Sequence, residues 1–421
     1  MPEHIVILGN SAAALSAVRA IRSHGGEQPL TIVSREECSA YSPVLTTYYL
    51  RGKIPESALY LCDIGYYRER DIKCHFGKAA VGLDAAAQRV TLSDGSSIDY
   101  DKLLIASGAS AKRLSGLDPE IAAEVCYLRT IEDARRIHAA ALGARHIVVI
   151  GAGLVSLQVA GAIARPDLKV SCVVASQQIL SQNIDAQCAA LLRAHVEGSA
   201  DIEFLFGTNV TEIAKADGGY RVVLDSGAEL SADLLVAGKG VTPNIDFIDR
   251  SQIAVEAGIL VDEQLRTSAE NVWAAGDLAQ GRNRISGKSE LVANWINACE
   301  QGTIAGATMA GAEVAFPGSV AENITTLFGV PVASIGITKI REGDTELRAV
   351  THLDEARGVY RRLLLRGDVM VGAVLLRDIE DAGVLRSVIV SGADLGRPEK
   401  EVVAGSVDFA HKLHRCMYAK G

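Results

Sequence analysis

The chain has 421 residues, a net charge of −9 and eight cysteines. That length exceeds one ordinary hydrophobic core and predicts roughly two to three domains, while the negative balance leaves no basic field for a phosphate backbone and argues against nucleic acid as a partner. No apolar run approaches the roughly 18 residues that span a bilayer, and the N-terminal MPEHIVILGN lacks the basic and apolar stretches of a signal peptide, so the expected compartment is the cytoplasm.

In chain order, IVILGNSAAALSAVRAI at 5–21 reads as strand, glycine turn and helix, followed by a strand at 30–34, a loop, a helical stretch and short strands ending in LLIASGA. IVVIGAGLVSLQVAGAI at 147–163 repeats the pattern, continues through KVSCVVAS and closes with LLVAGKG near Gly240. Pro243 and Asn244 suit the turn by which the chain returns to the first unit. SELVANWINACEQGTIAGATMAG at 289–311 reads as one helix ending at Gly311. From about Ala321 the texture becomes alternating strands, VPVASIGIT, TELRAVTHL, GVYRRLLLR and VMVGAVLLR, then a helix over 379–391. The expected fold is α/β: two Rossmann-like domains of the three-layer ββα type, the second inserted in the first, plus a C-terminal α+β domain. The boundaries are 1–112 with 241–320, 113–240, and 321–421.

Each glycine turn carries chemistry of its own. Gly9 permits the tight strand-to-helix corner, and Ser11 and Ala14 hold the places of the second and third glycines, where small side chains let a pyrophosphate approach the backbone NH groups of the helix start. The ribose-binding acid expected at the end of the next strand is displaced from Ser34 to Glu36 or Glu37. The second turn keeps Gly151 and Gly153 with Ser156 third, and its second strand ends at Val174, Ala175 and Ser176. Neither an acid for a 2′-hydroxyl nor a cation for a 2′-phosphate stands there. A buried phosphate dianion needs a compensating charge, so the reading favours NAD over NADP. Two such turns predict two dinucleotides, a flavin facing a nicotinamide.

YDKLLIASGA at 100–109, LRTIEDARRI at 128–137, GVTPN at 240–244 and NVWAAGD at 271–277, in this order, resemble the FAD-dependent pyridine-nucleotide oxidoreductases over essentially the whole chain. The resemblance implies FAD and NAD as cofactors. It assigns cofactor contacts to Gly9, Ser11, Ala13, Ala14, Glu36, Ser42, Pro43, Ala106, Ser107 and Gly108 in the first half. Further along it assigns them to Gly151, Gly153, Leu154, Val155, Gln158, Gly240, Gly276, Asp277, Asn294 and Trp295. Asp277 would bind the ribityl chain, and the helix after it would aim its N-terminus at the flavin pyrimidine. Asn294 and Trp295 stand either beside the ring or in capping and packing roles.

Departures from the family narrow the function. Cys38, Cys62, Cys74, Cys126, Cys172, Cys188, Cys299 and Cys416 form no CxxC, no CxxxxC and no zinc or iron–sulfur spacing, so no metal site and no thiol relay are expected. His411, His414 and Cys416 read as a solvated helix end. The loop ECSAYSPVLTTYYLRG and the last hundred residues resemble the rubredoxin-reductase-like and nitrite-reductase-like branch. There a basic residue near the flavin pairs with a glutamate; here Pro43 and Gln158 stand at those places, the pair assigned to the flavin and nicotinamide vicinity, and losing both charges leaves neither buried alone. Without an internal thiol pair the electrons need an external carrier: an iron–sulfur electron-transfer subunit or a rubredoxin- or ferredoxin-like protein, in a hetero-oligomeric complex or a homodimer. The first reading is a diaphorase, the NAD-reducing, FAD-bearing subunit of a multi-subunit 2-oxoacid oxidoreductase. A stand-alone NADH:rubredoxin or ferredoxin reductase or NADH oxidase, and a non-catalytic FAD-bound scaffold, stay open beside it. Arg361, Arg362 and Arg366 read as the outer face of a strand, or as a docking patch for an acidic carrier.

Overall fold

The computed structural model describes residues 3–394, which pack as two compact units. The first comprises residues 3–46 with Ile54–Ser110 and Val241–Ala321; the second comprises Thr47–Lys53, Ala111–Gly240 and residues 322–394. His411, His414 and Cys416 lie outside the described residues.

In chain order the first unit opens with β1 (Ile5–Leu8), α1 (Ala12–Ser23), β2 (Leu30–Ser34), β3 (Ile72–Phe76) and β4 (Lys102–Ile105). The second contributes β5 (His146–Ile150), α2 (Leu154–Ile163), β6 (Lys169–Val174), α3 (Ala186–Ser199), β7 (Ile202–Phe206) and β8 (Leu234–Ala237). The chain then returns to the first unit with β9 (Val272–Ala274) and α4 (Trp295–Met309), and ends in the second with β10 (Glu322–Leu327), β11 (Val330–Gly336), β12 (Leu347–Asp354), β13 (Val359–Arg366), β14 (Val369–Leu376) and α5 (Ala382–Ser391).

The first unit holds a parallel sheet in the order β9-β4-β1-β2-β3, and the second one in the order β7-β6-β5-β8. IVIL and LTIVS are buried at every position because strands covered on both faces have no polar side to alternate with. In each unit a three-stranded antiparallel ladder precedes the last of these early strands: Ala80–Asp84, Arg89–Leu92 and Ser97–Asp99 in the first, Val210–Ala216, Gly219–Leu224 and Glu229–Ala232 in the second. β10–β14 form an antiparallel sheet in the order β10-β11-β14-β13-β12. Leu327, Val330, Tyr360, Val374 and Leu376 of that sheet share one hydrophobic core with Ile147, Val149, Leu157 and Leu192.

The repetition extends to side chains. At the start of β1, His4 N–H donates to Asp101 Oδ2 (2.6 Å), Asp101 N–H donates to the His4 carbonyl (2.9 Å), and the His4 ring lies 2.8 Å from Thr31 Oγ1. At the start of β5, His146 N–H donates to Asp233 Oδ2 (2.9 Å), Asp233 N–H donates to the His146 carbonyl (2.8 Å), and His146 Nε2 lies 2.8 Å from Ser171 Oγ. Ser171 spends its only proton on Glu203 Oε1 (2.6 Å), so His146 donates from Nε2. Each latch ties three neighbouring strands at the edge where the first strand of its unit begins.

Three sequence expectations are corrected. Residues 289–291 form a strand paired with Ala279–Arg282, and the helix starts only at Trp295, because Asn294 caps it. Glu322–Leu327 is an additional strand. The arginine run is neither an outer face nor a docking patch: Arg361 is 1% exposed and bound to Asp381 and Asp378, Arg362 lies 3.6 Å from Asp185, and only Arg366 faces solvent. The sheet is covered by α5 on one side and by the shared core on the other, so alternation along β13 leads from one buried face to another.

Candidate functional site

In the first unit the site grows from the turn after β1. Gly9 adopts φ +121°, and a Cβ there would lie 2.0 Å from the Ala106 carbonyl oxygen, so only glycine lets β1 turn this close to the end of β4. α1 begins with Ser11 at the N-cap, whose side chain makes no capping bond, and no acid stands in its first turn. By contrast, Asp63, Asp118, Thr130, Asp185 and Asn294 each cap the helix they precede. The first NH groups of α1 and its positive end therefore stay available to an anion.

Two other segments converge on α1. Gly276, φ +91°, would place a Cβ 3.4 Å from Ala13 and 3.8 Å from Ala298, so the GD turn, the start of α1 and the first turn of α4 meet there. Gly302 and Gly306 press against α1 even more closely: a Cβ would reach 2.2 Å from the Ala13 oxygen and 2.4 Å from the Ala17 oxygen. Gln301, 1% exposed, accepts the Gly276 N–H (2.7 Å) and thereby fixes the backbone beside Asp277. Asn294 accepts the Asn297 N–H (2.8 Å) and donates to the Val320 carbonyl (3.0 Å), while Trp295 packs against the core of the unit.

The rim contains the other sequence-assigned residues. Tyr41 donates its hydroxyl to Glu36 Oε2 (2.7 Å). Ser42 is buried and donates its N–H to the Leu59 carbonyl, and the Pro43 carbonyl accepts from Thr46 Oγ1 (2.7 Å). Ser107 donates to the Asn244 carbonyl (2.9 Å), the Asn244 side chain donates to the Ser107 carbonyl (2.8 Å), and Asn244 N–H donates to the Gly108 carbonyl (2.9 Å). Asn244 thus clasps Ser107 and Gly108, the first from 137 residues away in sequence. Gln301 and the role of Asn244 were not recognised in the sequence. A buried glutamine inside an apolar helix was the available signal for the first, and the GVTPN motif for the second.

In the second unit Gly151, φ +109°, would place a Cβ 2.6 Å from the Gly238 oxygen. Ser156, where a third glycine is usual, is 1% exposed and directs Oγ at the Gly238 carbonyl, 3.5 Å away, while a Cβ on Gly238 would lie 2.2 Å from that Oγ. A serine therefore serves because its partner strand supplies the glycine. α2 starts at Gly153 with no side-chain cap and no first-turn acid, and Leu154 and Val155 open it with Val155 exposed. Gln158 donates Nε2–H to Thr325 Oγ1 of β10 (2.9 Å), which fixes its carboxamide. Gly240 accepts the Lys112 N–H (2.9 Å) at an exposed turn. After β6, Ser176 bonds the Gln178 carbonyl (2.8 Å), and residues 174–177 present no charge.

Both starts thus have the donor chemistry and glycine clearance that dinucleotide phosphates require, and residues 3–302 match the family described as pyridine nucleotide-disulphide oxidoreductase. The chain belongs to that family. Residues 323–393 match the rubredoxin NAD+ reductase C-terminal domain. The chain is 32% identical to the NADH-dependent phenylglyoxylate dehydrogenase subunit epsilon of Aromatoleum evansii, over 97% of this chain and 96% of that one. It is 31% identical to the rubredoxin-NAD(+) reductase of Ectopseudomonas oleovorans over 74% and 81% of the two chains. Among solved structures, the covalent putidaredoxin reductase–putidaredoxin complex superposes with a TM-score of 0.88 at 22% identity, covering 99% of both chains, which establishes the shared fold.

The protein is accordingly an FAD-dependent NAD(H) oxidoreductase with FAD and NAD(H) as cofactors. No disulfide joins any of the seven cysteines among the described residues. Burial pushes the Cys74 thiol up to about 11 and raises those of Cys126, Cys172, Cys188 and Cys299. Among the described residues no group of three or more His, Cys, Asp or Glu side chains gathers to hold a metal, and no helix is long and apolar enough to cross a membrane.

Proposed function

We propose that this protein relays electrons between NAD(H) and an iron–sulfur protein carrier, as the NAD-reducing subunit of a multi-subunit 2-oxoacid dehydrogenase of the phenylglyoxylate type, in the cytoplasm. The observation that carries this reading is the end-to-end match to a subunit epsilon of nearly the same length. The matches to rubredoxin and ferredoxin reductases support the iron–sulfur carrier. In this reading residues 1–112 and 241–320 bind FAD, 113–240 bind NAD(H), and 321–421 provide an interface for a partner subunit or a second copy.

The chemistry FAD supplies is the conversion between hydride exchange with nicotinamide and one-electron exchange with an iron–sulfur centre. The chain's own residues bind and orient. The α1 start at Ser11, Ala13 and Ala14 takes the FAD pyrophosphate, Glu36 takes a ribose, Asp277 takes the ribityl chain, and Ser42, Pro43 and residues 106–108 line the flavin end. The α2 start at Gly153, Leu154 and Val155 takes the NAD pyrophosphate. Gln158, held by Thr325, presents its carboxamide oxygen to the nicotinamide amide.

Anaerobic NADH should bleach the flavin absorbance of the purified protein, and the native protein should co-purify with iron–sulfur subunits. A flavin that NADH leaves oxidised would refute the relay. A native protein that runs alone and rapidly reduces rubredoxin would favour the second reading, a stand-alone reductase, which the 31% match to a rubredoxin reductase supports.

A further inference from the structure

The first unit contains an open cavity of about 570 Å³ lined by two thiols, Cys38 and Cys62, with Tyr60, Leu61, Asp63 and Ile64 around them. Leu61 and Ile64 are 42% and 46% exposed, so the mouth is apolar and accessible. The strand-like contact that shapes it is short: Tyr41 pairs with Tyr60, Ser42 N–H donates to the Leu59 carbonyl and Leu61 N–H to the Ala40 carbonyl, both at 2.8 Å.

A chain of hydrogen bonds runs from this cavity to the FAD turn. Cys62 donates its S–H to the Tyr67 hydroxyl oxygen (3.4 Å), which also accepts the Ala40 N–H (3.0 Å). Tyr67 donates its own proton to Asn10 Oδ1 (2.8 Å), and Asn10 Nδ2 donates to the Cys38 carbonyl (3.3 Å). Asn10 follows Gly9 directly, at the corner that leads into α1. Tyr67 is 1% exposed, and its phenol is held well above the usual range, first by burial and then by the bond from Cys62. Its proton therefore stays on the oxygen, and the direction of donation along the chain is fixed.

We propose that Cys62 is a covalent modification site for small, partly apolar disulfides, and that its modification is read by the FAD turn through Tyr67 and Asn10. The inference rests on the first unit's being the FAD site and goes beyond the electron relay. In the reaction Cys62 loses its proton to solvent and Sγ attacks one sulfur of the disulfide. An Sγ–S bond forms, the original S–S bond breaks, and the second sulfur leaves as a thiolate. Cys62 is oxidised from the thiolate to the disulfide level and the leaving sulfur is reduced from the disulfide to the thiolate level, so the exchange balances with no further oxidant. The product has no S–H, so the Tyr67 oxygen accepts only from the Ala40 N–H, and the hydroxyl that orients the Asn10 side chain is held by one bond fewer. Losing one such neutral bond weakens FAD retention by about five-fold. Burial raises the thiols of the other five described cysteines, which disfavours their thiolates, whereas Cys38 and Cys62 line an open cavity of about 570 Å³.

The test treats the FAD-loaded full chain with dithiobis(nitrobenzoate), maps the label by peptide mass spectrometry, and measures FAD dissociation by filtration. The expected result is one fast label on Cys62, loss of that label in Cys62→Ser, and about five-fold weaker FAD retention in labelled protein. Tyr67→Phe should still take the label but show no further change in FAD retention on labelling. A first label on Cys38 or any other cysteine overturns the site, and this result needs no variant to fold. Unchanged FAD retention in labelled wild type, or the same weakening in labelled Tyr67→Phe, overturns the coupling. Protein that never binds FAD would instead refute the cofactor assignment, whatever the label map shows.

Discussion

Replacing Gly302 by alanine tests the packing that builds the FAD site. The added Cβ would stand 2.2 Å from the Ala13 oxygen and 2.7 Å from the Ala13 Cα, both backbone atoms of a helix that cannot rotate away. Relief requires α1 and α4 to separate by about 1 Å in an interior packed to crystal-like density. Overpacking of this kind costs about 1–3 kcal/mol, since neighbouring small residues are displaced with it. In a unit of this size that corresponds to a fall in Tm of about 2–4 °C per kcal/mol. Ala13 also belongs to the first turn of α1 and touches the Gly276 turn, so FAD affinity should fall along with stability. Gly306→Ala makes a similar clash one helical turn further on, 2.4 Å from the Ala17 oxygen, and should cost comparable stability with a smaller effect on FAD. Gly143→Ala has nothing within 4 Å of the new methyl and an ordinary backbone, so it serves as the neutral or slightly stabilising control. Urea unfolding and FAD titration of the three variants decide the matter. If Gly302→Ala matches Gly143→Ala in both measurements, α4 does not hold α1 in place and the account of the site fails.

At the start of β5, burial and then Lys169 lower the His146 pKa below its ordinary 6.5, so the folded protein binds fewer protons there than the unfolded chain; stability should fall as pH drops below about 6.5 and level off below the folded value. His146→Gln should reduce that slope in urea titrations between pH 7 and 5, and an undiminished slope would remove His146 from the explanation. In the second unit Tyr360 donates to Asp185 Oδ1 (2.9 Å), and Asp185 also caps α3 and lies 3.6 Å from Arg362. Tyr360→Phe should cost about 1–3 kcal/mol and Asp185→Ala about 3–5 kcal/mol, because the second leaves a half-buried arginine without its counter-charge; equal losses by thermal melting would contradict the network. Ser176→Arg places a cation at the end of β6, where a 2′-phosphate would sit, and should raise kcat/KM for NADPH relative to NADH about ten-fold or more. An unchanged ratio would show that the adenosine ribose lies elsewhere.

What the chain settled locally is clear from its two turns. IVILGNSAAA and IVVIGAGLVS specify strand, corner and uncapped helix within ten residues each, because fully apolar strands and glycine at a positive φ are short-range requirements. From those turns and four short motifs followed the two cofactors and the family, while the expectation that no thiol pair relays electrons came from the cysteine spacings. Only the tertiary structure decided what depends on residues distant in sequence. Arg361 looked like a surface residue until α5 brought Asp381 onto it, and Asn294, open in the sequence to a place beside the flavin or a capping role, caps α4 and donates to the Val320 carbonyl. Asn244 clasping Ser107, Gly302 lying against Ala13, and Cys62 linked through Tyr67 to Asn10 each join segments that no local period connects. Turn chemistry is written in neighbouring residues, whereas the partner of a buried polar group is known only when the chain has closed around it.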